Sequence, residues 1–218
     1  MKNINKSLIQ LTSLMNSDKK FAFINISKSS IIRLNKKNEK SFLSNIAKEI
    51  INSINISGDR VMKNISYDLM KEIQHGKYST IGLTKETYYH YPNVFEYFFE
   101  NDKSVFDSII SFYIKNTPSA IISLHDQRRI STVLGLKQNI IEISYGSMYN
   151  KYEEIFNQLK ELNNKIQYCL LDCSSLGLAL SHKIWNELNM SIIDLGKTLN
   201  FIKDSNQQPV SAIHVQSF

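Results

Sequence analysis

Apolar residues in this chain fall into two kinds of segment that alternate along its length. Some recur every three or four positions, and others form short unbroken runs. Ile4, Leu8, Leu11 and Met15 predict an amphipathic helix over residues 3–16. Residues 21–26 then read as a first strand, followed by the polar turn Ser27-Lys28-Ser29-Ser30. Phe42, Ile46, Ile50 and Ile54 share one face of a helix over residues 41–55. Ser57-Gly58-Asp59-Arg60 breaks the pattern, and a third helix is expected from about residue 61 to residue 74, stopping near Gly76. Residues 78–83 read as a second strand.

The second half repeats the alternation. A loop of aromatics, Tyr88-Tyr89-His90-Tyr91-Pro92, leads to a short helix over residues 95–99 and a longer one over 105–115. Residues 120–124 form a third strand, followed by His125-Asp126-Gln127-Arg128-Arg129 and a helix to about residue 136. Residues 140–143 make a fourth strand, and a helix over 150–163 turns Tyr152, Ile155, Phe156 and Leu159 inward. The closing stretch is the clearest. A strand over 168–172 enters the small turn Cys173-Ser174-Ser175, and Leu176, Leu180, Ile184 and Leu188 stripe the next helix. A last strand over 191–194 runs into Gly196-Lys197. Strand–helix–strand units of this kind connect with a right hand.

The expectation is therefore one α/β domain over residues 1–204, Rossmann-like, with a mainly parallel sheet of about six strands flanked by helices. Residues 205–218 are polar and weakly patterned and read as a loose tail.

Composition changes this picture little. At 218 residues with 42% hydrophobic and 11% aromatic content, the chain can bury a large core and is no disordered tail. Its net charge of +6 fits polyanionic partners, and it equally fits the lysine usage of an AT-rich genome. Cys169 and Cys173 have neither zinc-knuckle spacing nor a strand geometry suited to a bridge, so a reducing compartment is expected. No apolar run is long enough for a membrane span and no signal-type core follows the first residues, so a cytoplasmic location is expected.

Familiar motifs are missing. The chain has no Gly-x-Gly-x-x-Gly, no phosphate loop ending in Gly-Lys-Ser/Thr, and no Gly-x-Ser-x-Gly elbow. His75, His90, His125, His182 and His214 form no close ligand pair, and no metal site is assigned. What remains is a set of polar groups at predicted strand ends: His125, Asp126, Arg128 and Arg129; Tyr145 and Ser147; Ser174 and Ser175; Asp194, Gly196 and Lys197. In an open parallel sheet such ends converge on one crevice. Cations beside helix N-termini would suit a diphosphate there. The plainer alternative makes Arg128 and Arg129 solvated first-turn residues and Asp194 a turn cap. The aromatic loop has two readings as well, a stacking platform for a base or sugar and a lid or packing cluster. Asp59 is a further acid, expected on a surface loop.

The order and wording of these segments resemble the GT-D-type glycosyltransferase domain, found in bacteria and phages. The matching strings are Phe21-Ala22-Phe23-Ile24-Asn25, Tyr78-Ser79-Thr80-Ile81-Gly82-Leu83, Ala120-Ile121-Ile122-Ser123 and Ile140-Ile141-Glu142-Ile143. Residues 168–177 and Ile192-Ile193-Asp194-Leu195-Gly196 complete them, the latter similar to the family's closing Asp-x-Gly. The resemblance covers about residues 18–203 and implies a nucleotide sugar as donor substrate. It also exposes a departure. Where the family's first strand leads into Arg-x-Gly-Asp-Gly-Glu, this chain reads Asn25-Ile26-Ser27-Lys28-Ser29-Ser30. Both acids associated with the metal are gone, so no cofactor is assigned and a divalent metal would lose its anchors.

Two functions follow. In one, Lys28 stabilises the diphosphate and Asp194 contacts ribose or sugar hydroxyls, in a metal-independent transferase. Arg128, Arg129, Tyr145, Ser174, Ser175, Gly196 and Lys197 would then bind the substrate, and modified pyrimidines of phage DNA are among the acceptors. In the other, the site is inactive and the chain is a binding or scaffolding partner of another protein.

Overall fold

The computed structural model describes residues 2–35, 41–65, 69, 72, 75, 89–90, 93–135, 139–143 and 149–201. The expected strand over 78–83, Tyr145, Ser147 and the expected tail from residue 205 lie outside the described residues.

The elements, in chain order, are α1 (Lys2–Met15), β1 (Ala22–Ile26), α2 (Lys28–Asn35), α3 (Ser41–Asn55), β2 (Val61–Ile65) and β3 (Tyr89–His90). Then come α4 (Val94–Asn101), α5 (Lys103–Ile109) running into a π-helical turn (Ile110–Ile114), β4 (Ser119–Ser123), α6 (Gln127–Leu134) and β5 (Ile140–Glu142). The chain closes with α7 (Tyr152–Glu161), β6 (Tyr168–Asp172), α8 (Ser174–Glu187), β7 (Ser191–Asp194) and a 3-10 turn (Thr198–Phe201).

The strands form one sheet in the order β3-β2-β1-β7-β6-β4-β5, and every pairing is parallel. Six strands span three residues or more, and the two-residue β3 is added at one edge. The α/β expectation holds.

Two layers of side chains cover the sheet. Ala22, Ile24 and Ile26 of β1 and Cys169 and Leu171 of β6 pack with α3, α7 and α8. Phe21, Phe23, Tyr168, Leu170 and Ile193 pack on the other face with α1, α4, α5 and α6. Phe23 meets Phe95 of α4 edge-to-face, their centroids 5.8 Å apart. Burial on both faces is why these strands are unbroken apolar runs and not alternating ones. The distribution of helices follows from handedness. Crossovers toward the β3 edge (β1 to β2, β5 to β6, β6 to β7) put α3, α7 and α8 on one face, and the β4-to-β5 crossover runs the other way and puts α6 on the opposite face. The chains leaving β6 and β4 therefore part to opposite faces, and a crevice opens between their carboxyl ends.

Three local expectations are corrected. The helix expected over residues 61–74 begins as a strand. Val61–Ile65 pairs residue for residue with Ala22–Ile26, and within the old span only Leu69 and Glu72 are helical among the described residues. Lys63, buried in the middle of β2, donates to the Ile54 carbonyl at the end of α3. That bond answers the helix's C-terminal charge, and burial lowers the ammonium pKa. The polar turn at residues 27–30 is the start of α2, with the Ser27 hydroxyl accepting the Ser30 N–H at 3.2 Å. In the aromatic loop, Tyr89–His90 is the edge strand β3, while Tyr88, Tyr91 and Pro92 lie outside the described residues.

Candidate functional site

A cleft of about 230 Å³ lies at the carboxyl ends of β1, β7, β6 and β4. Its walls come from residues far apart in sequence: Asn25, Ser27, Lys28 and Ser29; His125; Asp172 and Ser174; Asp194, Gly196 and Lys197.

One wall is a chain of hydroxyls joining two helix starts. Ser27 Oγ lies 2.9 Å from Ser29 Oγ and 2.7 Å from Ser30 Oγ. Ser29 Oγ lies 3.2 Å from Ser174 Oγ, and the Ser30 hydroxyl donates to Ser175 Oγ at 3.1 Å. This ties the first turns of α2 and α8 together. No side chain caps the start of α8, and Ser174 there has φ +50°, a conformation that costs a non-glycine residue about 1 kcal/mol or more. The Leu176 N–H of that first turn is held by the Cys173 carbonyl at 3.2 Å, and the turn is the positive end of a 14-residue helix. Lys28 is exposed at the other rim and pairs with Glu72 at 3.0 Å.

The opposite wall is the turn after β7, fastened from α4. Asn93 caps α4 with its side-chain oxygen and donates its amide to the Asp194 carbonyl at 3.3 Å. Glu96 Oε1 accepts the Lys197 N–H. Burial raises the Glu96 pKa, opposed by that bond and by the Lys197 charge. Gly196, at φ +64°, makes the turn possible.

Buried acids form the floor. Asp194 accepts the Gly196 N–H at 2.8 Å and the Asn25 N–H at 3.4 Å, and burial pushes its pKa up to about 8 against the pull of those two bonds. Asp172, in register with Ser123, accepts the Ser123 hydroxyl at 2.7 Å and faces His125 Nε2 at 3.7 Å. Burial raises it to about 7; the Ser123 bond and the nearby Arg129 pull it back, and Glu96 pushes it further. Among the described residues no group of three or more His, Cys, Asp or Glu side chains is arranged to hold a metal ion.

Of the residues expected from sequence, Lys28, His125, Ser174, Asp194, Gly196 and Lys197 meet at the cleft. Ser175 is buried behind the wall against Ser30. Arg128 and Arg129 do not line the cleft: Arg128 is exposed, and Arg129 turns to His125 with Nη1 3.2 Å from Nδ1. Asp126 caps α6 by accepting the Arg129 N–H at 2.8 Å. Asn25, Ser27, Ser29 and Asp172 line the cleft and were not among the candidates read from sequence. Both cysteines are free and buried, and Asp59 is exposed in a turn.

No family model and no curated protein matches the sequence. Solved structures do match. A structure of domain of unknown function 1792, in its selenomethionine form, superposes with a TM-score of 0.64 at 13% identity, over 95% of this chain and 86% of that one. A second structure of the domain, described as having a distinct glycosyltransferase fold, gives 0.63 at 12% identity over the same shares. This chain has that glycosyltransferase fold. Among the described residues no helix of it is long and apolar enough to cross a membrane.

Proposed function

We propose that the protein is a glycosyltransferase that takes a nucleotide sugar as donor and holds its diphosphate without a divalent metal. The observation that carries this reading is the convergence of Lys28, Lys197 and the uncapped start of α8 on one cleft of a glycosyltransferase fold. Oriented amides and ammonium groups stabilise the charge of a leaving diphosphate, the task that a metal performs in other sites. The chemistry of the donor set supports the metal-free form. Lys28 and Ser30 stand where the resembling family has carboxylates; Lys28 carries a positive charge, and the Ser30 hydroxyl is committed to Ser27 and Ser175.

Thermal unfolding with UDP, GDP and their sugars, with and without manganese, tests this. A nucleotide at a hundred times its Kd should stabilise the fold by about 2.7 kcal/mol, the same with manganese as with EDTA. Lys28→Ala should weaken nucleotide binding about tenfold, the loss of one charge-assisted contact. Stabilisation that needs manganese sinks the metal-free form. Flat curves for every nucleotide would favour the other reading, an inactive transferase fold that works through a protein partner.

For the acceptor, the +6 charge supports a polyanion, and DNA with modified pyrimidines is the acceptor we propose. Binding to duplex DNA should then fall by about tenfold or more between 50 and 200 mM salt, as expected when several phosphates are neutralised. Affinity indifferent to salt would rule DNA out.

A further inference from the structure

The two aspartates at the cleft are held in opposite ways. Asp194 spends both oxygens on backbone: Oδ1 accepts from Gly196 and Oδ2 from Asn25. It braces β1 and the turn after β7. Asp172 spends one. Oδ2 accepts the Ser123 hydroxyl and faces His125, and among the described residues no hydrogen bond falls on Oδ1. Arg129 donates to His125 Nδ1, which leaves the ring hydrogen on Nε2, toward Asp172. Asp172 also stands where the chains leaving β6 and β4 part, the usual place for chemistry in such sheets.

We propose that Asp172, and not Asp194, is the general base of sugar transfer, accepting the acceptor's hydroxyl proton on Oδ1 while Ser123 and His125 fix the carboxylate. This rests on the transferase reading above. The acceptor oxygen bonds to the anomeric carbon as the bond from that carbon to the diphosphate oxygen breaks. The electron pair leaves with the diphosphate, and the acceptor proton passes to Asp172. A single displacement of this kind inverts the anomeric configuration. The charged and titratable groups facing Asp172 are His125 from the turn after β4, Arg129 from α6, Glu96 from α4, Asp194 from β7 and the buried Cys173 thiol beside it. Burial, reinforced by Glu96 and opposed by the Ser123 bond and Arg129, sets the carboxyl at about 7, so it is ready to take a proton near neutral pH.

The test uses the whole chain with UDP-glucose, UDP-N-acetylglucosamine and GDP-mannose, following hydrolysis of the donor by water, for which no acceptor need be known. Asp172→Asn should lose about 10²–10⁴ in kcat while binding UDP or GDP as the wild type does. In the wild type the rate should rise with pH about a midpoint near 7, and in Asp172→Asn that rise should vanish. The released sugar should show inverted configuration by NMR. Wild-type turnover in Asp172→Asn, an unchanged pH rise, retention of configuration, or loss of nucleotide binding together with turnover each overturns the assignment. A wild type that turns over no donor overturns the transferase reading, and the assignment with it; equal turnover in both proteins overturns the assignment alone.

Discussion

Gly196→Ala should destabilise the fold by about 2–5 kcal/mol and weaken nucleotide binding at the same time. Two costs add. The left-handed φ of +64° penalises any residue with a Cβ by about 1–2 kcal/mol. The new Cβ would also lie 2.8 Å from Glu96 Cδ and nearer still to Glu96 Oε1, and overpacking of this kind costs about 1–3 kcal/mol. Glu96 is poorly placed to yield, because the same oxygen holds the Lys197 N–H. Relief of the overlap therefore moves Lys197, which lines the cleft. A double-mutant cycle with Glu96→Ala separates the costs: the steric part should disappear in the double variant and the backbone part remain. Urea unfolding reads stability, and nucleotide titration reads the cleft. A Gly196→Ala protein with wild-type midpoint and affinity would show that the turn is not held as described.

How far the sequence could be read depended on how each residue is buried. β1, β4, β6 and β7 were legible because a strand covered on both faces must be an unbroken apolar run. β2 was not, because Val-Met-Lys-Asn-Ile places apolar residues one and four apart, a helical spacing, around two polar residues. Its Lys63 is tolerable in a sheet only because a carbonyl nine residues earlier accepts from it, which no local pattern reveals. The cleft was half legible. Ser174 and Lys197, just beyond strand ends, were found by topology alone, and Lys28 through the family resemblance. Arg128 and Arg129 had two readings in sequence, cleft cations or solvated first-turn residues, and which of them lines the cleft is decided by side-chain directions that no local pattern gives. Asp172 closes an apolar run and looks like the first turn residue, yet β7 ends in the same Leu/Ile-Asp step. Two parallel strands ending alike was the available signal.

Stability should fall as pH rises from 5 to 8, by about 2–6 kcal/mol. Asp172 and Asp194 titrate near 7 and 8 in the folded protein, against 3.8 as the ordinary value. Between those limits the folded state holds protons that the unfolded chain has released, so each step up in pH favours unfolding; below about 4 both states are protonated and the effect ends. Glu96, also raised by burial, acts in the same direction. Urea unfolding at pH 5, 6, 7 and 8 measures the slope, and a level or rising curve would contradict these buried acids. Asp172→Asn should flatten part of it and be more stable than the wild type at pH 8, since an Asn oxygen can still accept the Ser123 hydroxyl without a buried charge. The same desolvation that makes Asp172 costly at neutral pH is what raises its proton affinity enough to act as a base. A variant that gains stability at pH 8 and loses turnover would tie both effects to this one carboxyl, and would explain why a charge is kept in the floor of the cleft where a neutral amide fits better.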